Sequence, residues 1–271
     1  MAGLDGVPLR PMSSSSSATQ TLERGLQLLR AFRAERTPLT NAELVRRTGF
    51  SRSSVSRLTA TLVQLGYIRR VAGGPEFELA PGGFRIGYAY ARTNPVTQRV
   101  HPLMQGLADR LHVSVALAVP DGLDMLYIAY RASAQVATLR LDVGSLLPMG
   151  RTAIGRAWLW GLPSQQRERY VAAILEAAGS DAPQVRQRLD DAFADLDATG
   201  VCMAVSEYQH NAYGIALPLR VGRAGTLMAM NCGAVGLALD DVGALRQRIE
   251  PELKDAAREV EALLRDLDAE P

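Results

Sequence analysis

The sequence predicts an α+β protein in two parts: an N-terminal winged helix-turn-helix and a larger domain built on an antiparallel sheet flanked by helices. Three observations carry this. Residues 40–79 read as two short helices joined at a glycine and followed by a hairpin. Beyond residue 96, about six runs alternate with the two-residue period of strands, and helical patterns precede, interrupt and follow them. The charge divides at the same place: residues 20–92 hold 12 Arg against 5 acids, a net of +7, while residues 93–271 hold 16 Arg and 1 Lys against 22 acids, a net of −5.

In chain order, residues 1–18 are rich in Pro, Gly and Ser, with five serines in succession, and read as a disordered tail. A first helix is expected at Thr21–Ala34, with Leu22, Leu26, Leu29 and Phe32 as its core stripe. Pro38 separates it from the next. Thr40 opens a second helix with a capping box: its hydroxyl is placed for the Glu43 N–H, and the Glu43 carboxylate for the Thr40 N–H. Leu39 and Leu44 take the positions of a hydrophobic staple. Ala42, Val45 and Thr48 follow near one face, and Gly49 ends the helix.

Ser51 caps the third helix. Val55, Leu58, Leu62 and Leu65 form its apolar stripe, and Gly66 ends it. Arg52, Ser53, Ser56, Arg57 and Thr59 are expected on the opposite, polar face. A helix of this kind fits the major groove of DNA, where an arginine forks onto guanine and serines meet phosphates or bases. The segment YIRR, a Gly73-Gly74 turn and EFEL then make a hairpin, the wing, with Arg69 and Arg70 placed for backbone phosphates. The expected DNA-contacting set is Thr40, Arg52, Ser53, Ser54, Ser56, Arg57, Arg69 and Arg70. An ordinary helical subdomain with a solvated charged face explains the arginines alone, but not cap, turn, second cap and hairpin in this order.

FRIGYAYARTNPV reads as a linker helix up to the Asn94-Pro95 break, with Phe84, Tyr88 and Ala91 on one face suited to dimer contact. Val96–Leu111 is an amphipathic helix. Val113–Pro120 and Asp124–Arg131 are strands around a Pro120-Asp121-Gly122 turn, and Val136–Gly144 is another alternating strand. Thr152 caps a helix, Ser164 a short one, and Gln184–Thr199 is longer. Residues 200–208, 212–220 and 225–233 supply three more strands. Asp240 caps a last helix, Asp241–Leu267, in which Pro251 is expected to kink or break the run. The domains expected are a tail over 1–18, a winged helix-turn-helix over 19–81, a linker helix over 82–95 and an effector-binding domain over 96–267.

The totals narrow the class. A chain of 271 residues with 47% hydrophobic content fits two globular domains. No apolar run approaches the ~20 residues of a membrane-spanning helix, and the first residues lack an apolar signal core, so a cytoplasmic protein is expected. Cys202 and Cys232 are a pair or two free thiols, and an intracellular chain favours thiols. His101, His112 and His210 lack metal-ligand spacing, so no metal or cofactor is expected. A basic N-terminal third joined to an acidic remainder suits a nucleic-acid-binding domain attached to something else.

The chain resembles the isocitrate-lyase-regulator (IclR) family of bacterial transcription regulators. The resemblance rests on TLERGLQLLRAF, LTNAELVRRTGFSRSSVSRLTATLVQLGYIRR and FELA at the N-terminal end. Further along it rests on GSLLPMGRTAIGRAWL, GVCMAVSEY, AYGIALPLR and GTLMAMNCG, and it spans about Thr19 to Leu267. It implies a GAF-like effector domain, a homodimer or homotetramer on a pseudo-palindromic operator in double-stranded DNA, and control by a small organic acid. It also implies a switch in which the effector alters how the linker helices space the DNA-binding domains.

Carried over position by position, the resemblance implies a pocket at Leu147, Ala153, Ile154, Ala204, Gly214, Asn231 and Gly233. Backbone N–H groups around Ala153 and Ile154 meet a carboxylate at a helix N-terminus. Met149, Cys202, Met203 and Tyr127 are further candidates for the same cleft. Where small-acid-binding members carry Asp, Cys and Ser, this chain has Ala204, Gly214 and Gly233. A wider, more apolar pocket for an aromatic or larger organic acid is therefore expected.

Two other functions compete with this one. Cys202, Glu207 and His210 assemble on paper into a nucleophile, an acid and a base, but no nucleophile motif surrounds Cys202, and the chain is not expected to be an enzyme. An effector-independent structural DNA-binding protein is the other alternative, and a C-terminal domain of ~170 residues, larger than dimerisation requires, disfavours it.

Overall fold

The structure, a computed structural model, describes residues 17–32, 38–136, 141–235 and 242–267. The tail up to residue 16, the middle of the Val136–Gly144 run and the Asp240 cap lie outside the described residues. The chain divides into two compact units, Met1–Thr93 and Asn94–Pro271.

The first unit contains α1 (Ser17–Arg30), α2 (Asn41–Thr48), α3 (Arg52–Gln64), β1 (Ile68–Arg70), β2 (Phe77–Leu79) and α4 (Pro81–Thr93). Its core is Leu28, Phe32, Leu39, Leu44, Val55, Leu62, Ile68 and Phe77. The staple residues Leu39 and Leu44 are both in it, and Leu39 also exchanges two backbone hydrogen bonds of 2.8 Å with Phe77. That exchange ties the start of α2 to the hairpin.

Three expectations for this unit are corrected. The helix α1 begins earlier than expected, and only its last turn meets the core. Leu28 is buried, whereas Leu22 and Leu26 are 65% and 54% exposed. Thr59 does not lie on the polar face of α3. It stands four residues after Val55, shares that buried face and donates its hydroxyl proton to Val55 O (2.9 Å). Leu65, the C-cap residue of α3, is exposed rather than part of the stripe.

The glycine at 66 has φ +74° and lets the chain turn out of α3 into β1. Gly82 lies against it: its N–H donates to Gly66 O (3.1 Å), and a Cβ there would fall 2.4 Å from that oxygen. This close approach fixes the first turn of α4. The rest of α4 buries no residue, and Phe84, Ile86, Tyr88 and Tyr90 are all exposed.

The second unit contains α5 (Pro95–Leu111), β3 (Ser114–Asp121), β4 (Asp124–Ala132), β5 (Leu146–Pro148), α6 (Ala153–Gly161), α7 (Ser164–Ala178), α8 (Ala182–Thr199), β6 (Cys202–Val205), β7 (Ala212–Val221), β8 (Thr226–Val235) and α9 (Val242–Leu264). The strands form one antiparallel sheet in the order β5-β4-β3-β8-β7-β6. Alternation sorts its side chains. Val115, Leu117, Ile215, Leu217, Met228, Met230 and Cys232 face one core with α5 and α9. Ala116, Ala118, Tyr127, Ala204, Ala216 and Ala229 face another with α6, α7 and α8. A bulge opposite Leu117 and Ala118 puts Ile128 and Ala129, consecutive residues, into the same core.

The second face carries small residues, and α6 packs close against it. At Gly155 an added Cβ would lie 2.2 Å from Met149 Cα. Sequence expectations fail at three places here. The described end of the Val136–Gly144 run is turn, and the edge strand is the shorter β5. Ser164 is the first residue of α7 rather than its side-chain cap, and α7 runs 15 residues. The helix α9 continues through Pro251, so of the kink or break expected there the break does not occur.

Candidate nucleic-acid interface and ligand cleft

Local chemistry positions α3. Thr40 Oγ1 accepts the Glu43 N–H (3.1 Å) at the start of α2, as a capping box requires. The second half of the box is replaced. The Glu43 carboxylate takes Arg46 Nη2 (2.8 Å) and Arg47 Nε (2.9 Å) instead, and Arg47 Nη1 donates to Ala31 O (2.7 Å). These two guanidinium groups hold the Glu43 carboxyl well below its ordinary range, at about 2. Gly49, at φ +69°, makes the left-handed turn and donates to Val45 O. Ser51 Oγ then accepts the Ser54 N–H (3.3 Å).

Arg52, Ser53, Ser56 and Arg57 are exposed on one side of α3, opposite Val55 and Leu62. Thr40 and Ser54 are half-buried, and their hydroxyls are engaged in the caps. On the hairpin, Arg69 faces Glu78 across the strands and pairs with it at 2.7 Å. Arg70 lies 4.9 Å over the Phe77 ring. Both arginines are exposed, and an exposed ion pair of this kind contributes only about 0–1 kcal/mol, so Arg69 can exchange Glu78 for a phosphate.

The second unit has a cleft between the small-residue face of the sheet, the start of α6 and the loop from β6 to β7. It spans about 550 Å³ between its walls, open mouth included. Leu147, Ala153, Ile154, Ala204, Gly214, Asn231 and Gly233 all line it, as does Tyr127. Met149 does not: it is fully buried beneath α6, where its backbone abuts Gly155. Cys202 and Met203 are also outside the lining. Cys202 points under α6, its thiol donating to Ala153 O (3.3 Å), and burial pushes that thiol up to about 12. Such a thiol is inert as a nucleophile.

The start of α6 gives the cleft its positive end. Thr152 Oγ1 accepts the Gly155 N–H (3.4 Å) and donates to Pro148 O (2.9 Å), fixing the cap. The N–H groups of Ala153 and Ile154, in the first turn, have no intrahelical acceptor and favour an anion. Gly214 faces them. A Cβ there would sit 3.8 Å from Ala153 Cβ and 3.6 Å from Asn231 Nδ2. On the sheet, Asn231 Nδ2 donates to the Tyr127 hydroxyl (3.4 Å), while Asn231 Oδ1 is buried without a partner among the described residues. Burial raises the Tyr127 hydroxyl pKa, against the lowering effect of the Asn231 hydrogen bond, so that hydroxyl stays neutral.

Sequence reasoning missed the loop and the rim. Glu207, Tyr208 and Gln209 form a wall of the cleft, and Arg151 stands at its mouth. The loop turns on two non-glycine residues with positive φ, Ser206 (55°) and Asn211 (59°). Its polar run between two strand patterns was the available signal. Arg156, fully enclosed in α6, forks both its terminal nitrogens onto the Glu207 carboxylate, with Nη1–Oε1 at 2.8 Å. The same side chain also donates to Gly150 O. Arg151 Nη2 donates to the backbone oxygen of Glu207 (2.8 Å). Among the described residues no group of three His, Cys, Asp or Glu side chains has metal-site geometry, and no helix is long and apolar enough to cross a membrane.

Comparison with known proteins agrees with both units. The profile described as the IclR helix-turn-helix domain matches residues 21–72, and that of the bacterial transcriptional regulator IclR C-terminal matches residues 88–262. The chain is 30% identical to the Pca regulon regulatory protein of Pseudomonas putida, over 89% of this chain and 82% of that protein. It is similar to the crystal structure of an IclR family transcriptional regulator from Brucella abortus, with 31% identity, a TM-score of 0.83 and coverage of 97% and 98%. The fold also matches an IclR homologue from Microbacterium hydrocarbonoxydans crystallised with 4-hydroxybenzoate, at 19% identity, TM-score 0.61 and coverage of 90% and 98%.

Proposed function

The chain belongs to the IclR family of bacterial transcription regulators, and from that footing we propose that it is an operator-binding switch whose DNA affinity is set by an organic acid held in the cleft of the second unit. The observation that supports effector control is the pairing of an α6 N-terminus, with the Ala153 and Ile154 N–H groups unclaimed inside the helix, with a cavity walled by Leu147, Ile154 and Ala204. An apolar body with one anionic end fits that combination. The fold neighbour crystallised with 4-hydroxybenzoate carries a ligand of this kind. An aromatic or larger aliphatic acid is the reading for this chain.

In this reading Arg52, Ser53, Ser56 and Arg57 read the major groove, and Arg69 and Arg70 take phosphates. The protein acts as a dimer or tetramer on a pseudo-palindromic site. The exposed Leu22 and Leu26 on α1, and Phe84, Ile86 and Tyr88 on α4, supply apolar surface for the partner chain. The ligand shifts the equilibrium only by its different affinities for the DNA-competent and DNA-incompetent states.

The experiment is in two steps. Purified protein is screened by thermal shift against aromatic and aliphatic acids, and operator fragments selected from random DNA are then titrated with and without the acid that stabilises it. The reading requires a concentration-dependent rise in Tm and a change in operator affinity of fivefold or more. Selected DNA whose affinity no stabilising acid alters would leave a DNA-binding protein without effector control.

A further inference from the structure

The charges around the cleft do not cancel. Among the described residues that line it, only Arg151 and Glu207 are formally charged. The Glu207 carboxylate is already committed, both oxygens taken by the enclosed Arg156. Its negative charge is therefore met from behind the wall, and the Arg151 charge at the mouth is left without a carboxylate among the lining residues. Arg151 is held by one contact, from Nη2 to the Glu207 backbone oxygen. A guanidinium carries five N–H donors in a planar fork, so the remaining ones are available to a bidentate acceptor.

Arg151 and the α6 N-terminus are also at different depths. The first turn of α6 lies at the floor, where Ala153 is buried and faces Gly214 and Asn231. The guanidinium of Arg151 reaches the β6–β7 loop at the rim and is exposed. The lining mixes apolar side chains, Leu147 and Ile154 among them, with polar ones such as Thr152, Tyr208 and Gln209. Two anion-attracting loci in one cleft, the buried first turn of α6 and the exposed Arg151, match a ligand with a carboxylate at each end.

Resting on the organic-acid reading given above, we infer that the cleft selects a dicarboxylic acid, one carboxylate on the α6 N–H groups and the other forked onto Arg151. Arg151 is then the residue that separates diacids from monoacids of the same shape. It does so through a charge-assisted pair that a monoacid cannot form.

The test uses the full-length protein and calorimetric titration. The probes are the straight-chain diacids of four to eight carbons and the three benzenedicarboxylates, each beside its own monomethyl ester, which keeps the length and removes one charge. At least one diacid is expected to bind ten or more times tighter than its ester. Arg151→Gln is expected to abolish that ratio while leaving the ester within about threefold, and Arg151→Lys to keep part of it. The inference is overturned if every diacid and its ester bind alike. It is equally overturned if Arg151→Gln weakens both equally, since Arg151 would then serve the same carboxylate as α6. If the unaltered protein binds no acid or ester of the panel, the inference falls, and the organic-acid reading falls with it only when the aromatic and aliphatic monoacids of the thermal-shift screen give no shift either. Arg151 is exposed, and an unchanged thermal transition of Arg151→Gln guards against misfolding as the cause.

Discussion

Arg156 and Glu207 are joined across the wall of the cleft, the buried guanidinium of α6 holding the carboxylate of the β6–β7 loop with two nitrogens at once. The pair is 51 residues apart in sequence and fastens the loop that supplies Tyr208 and Gln209 to the cleft. A charge this enclosed is tolerated because each of its three nitrogens has an acceptor: the Gly150 carbonyl accepts from Nε and Nη2 as well.

Removing one member leaves the other stranded. Arg156→Ala is expected to cost about 3–5 kcal/mol of stability, read as a shift of the urea midpoint. Glu207→Gln keeps a hydrogen-bonding oxygen and is expected to cost less. A double-variant cycle giving no coupling between the two positions would mean that the pair does not hold the loop.

Two glycines should respond oppositely to alanine. At Gly155 the new Cβ would meet Met149 Cα at 2.2 Å and its carbonyl oxygen at 2.5 Å, and backbone cannot yield cheaply. Gly155→Ala is expected to lose about 3 kcal/mol or more, or not to fold. At Gly214 the nearest atoms are 3.6 and 3.8 Å away, which is ordinary contact. Gly214→Ala is expected to melt near the unaltered protein yet bind its ligand several-fold more weakly, because the methyl occupies the floor of the cleft. Calorimetric titration beside thermal melts separates the two outcomes.

The helix caps of the first unit should be measurable one at a time. Thr40→Ala and Ser51→Ala each remove a side-chain acceptor from a first-turn N–H, at about 1 kcal/mol apiece. Denaturant melts check the loss, and operator titration checks whether α3 keeps its aim. Arg57→Ala, by contrast, is expected to leave stability unchanged and to cost about 1–3 kcal/mol of binding at a single base position. A loss uniform across all sequences would make Arg57 a phosphate contact.

Acid should weaken one contact in a defined direction. The Glu43 carboxyl is held low, at about 2 against an ordinary 4.5, chiefly by its hydrogen bonds from Arg46 and Arg47. Its folded value lies below its unfolded one, so the contact stabilises fully above pH 4.5 and fades as pH falls toward 2. The carboxylate is partly exposed, so the effect stays within about 1 kcal/mol. The melting temperatures of the unaltered protein and Glu43→Gln should differ at pH 6 and converge near pH 2.

Thiol chemistry supplies a further check. Cys202 and Cys232 are both buried and free, and burial pushes both thiols upward, Cys202 to about 12. A disulfide-exchange reagent at pH 8 is expected to modify neither in the folded protein and both after unfolding. Rapid reaction of the folded protein would contradict the packing of Cys202 beneath α6.

Much of the fold was legible because its signals are local. A threonine and a serine each accept an N–H three residues on, and a glycine at φ +69° turns the chain between two helices. The sheet follows from alternation along each strand, and seven cleft residues were reached through the family resemblance. What failed depended on neighbours distant in sequence. Leu22 and Leu26 repeat like core residues, but the core of the first unit reaches only the last turn of α1. Met149 follows the pocket strand directly, but the close seat of Gly155 buries it.

The sequence by itself determined the two-part order, the capped helix-turn-helix with Arg52 and Arg57 on its outer face, and five of the six strands of the antiparallel sheet. Each of these is written in spacings of two, three or four residues, which backbone geometry converts directly into caps, faces and strands. Only the tertiary structure decided that Arg156 reaches Glu207, that the β6–β7 loop walls the cleft and that Arg151 stands at its mouth. Those relations join residues about 50 positions apart. Their energy comes from burial and from the pairing of charges, neither of which exists until the sheet has assembled and α6 has packed against it.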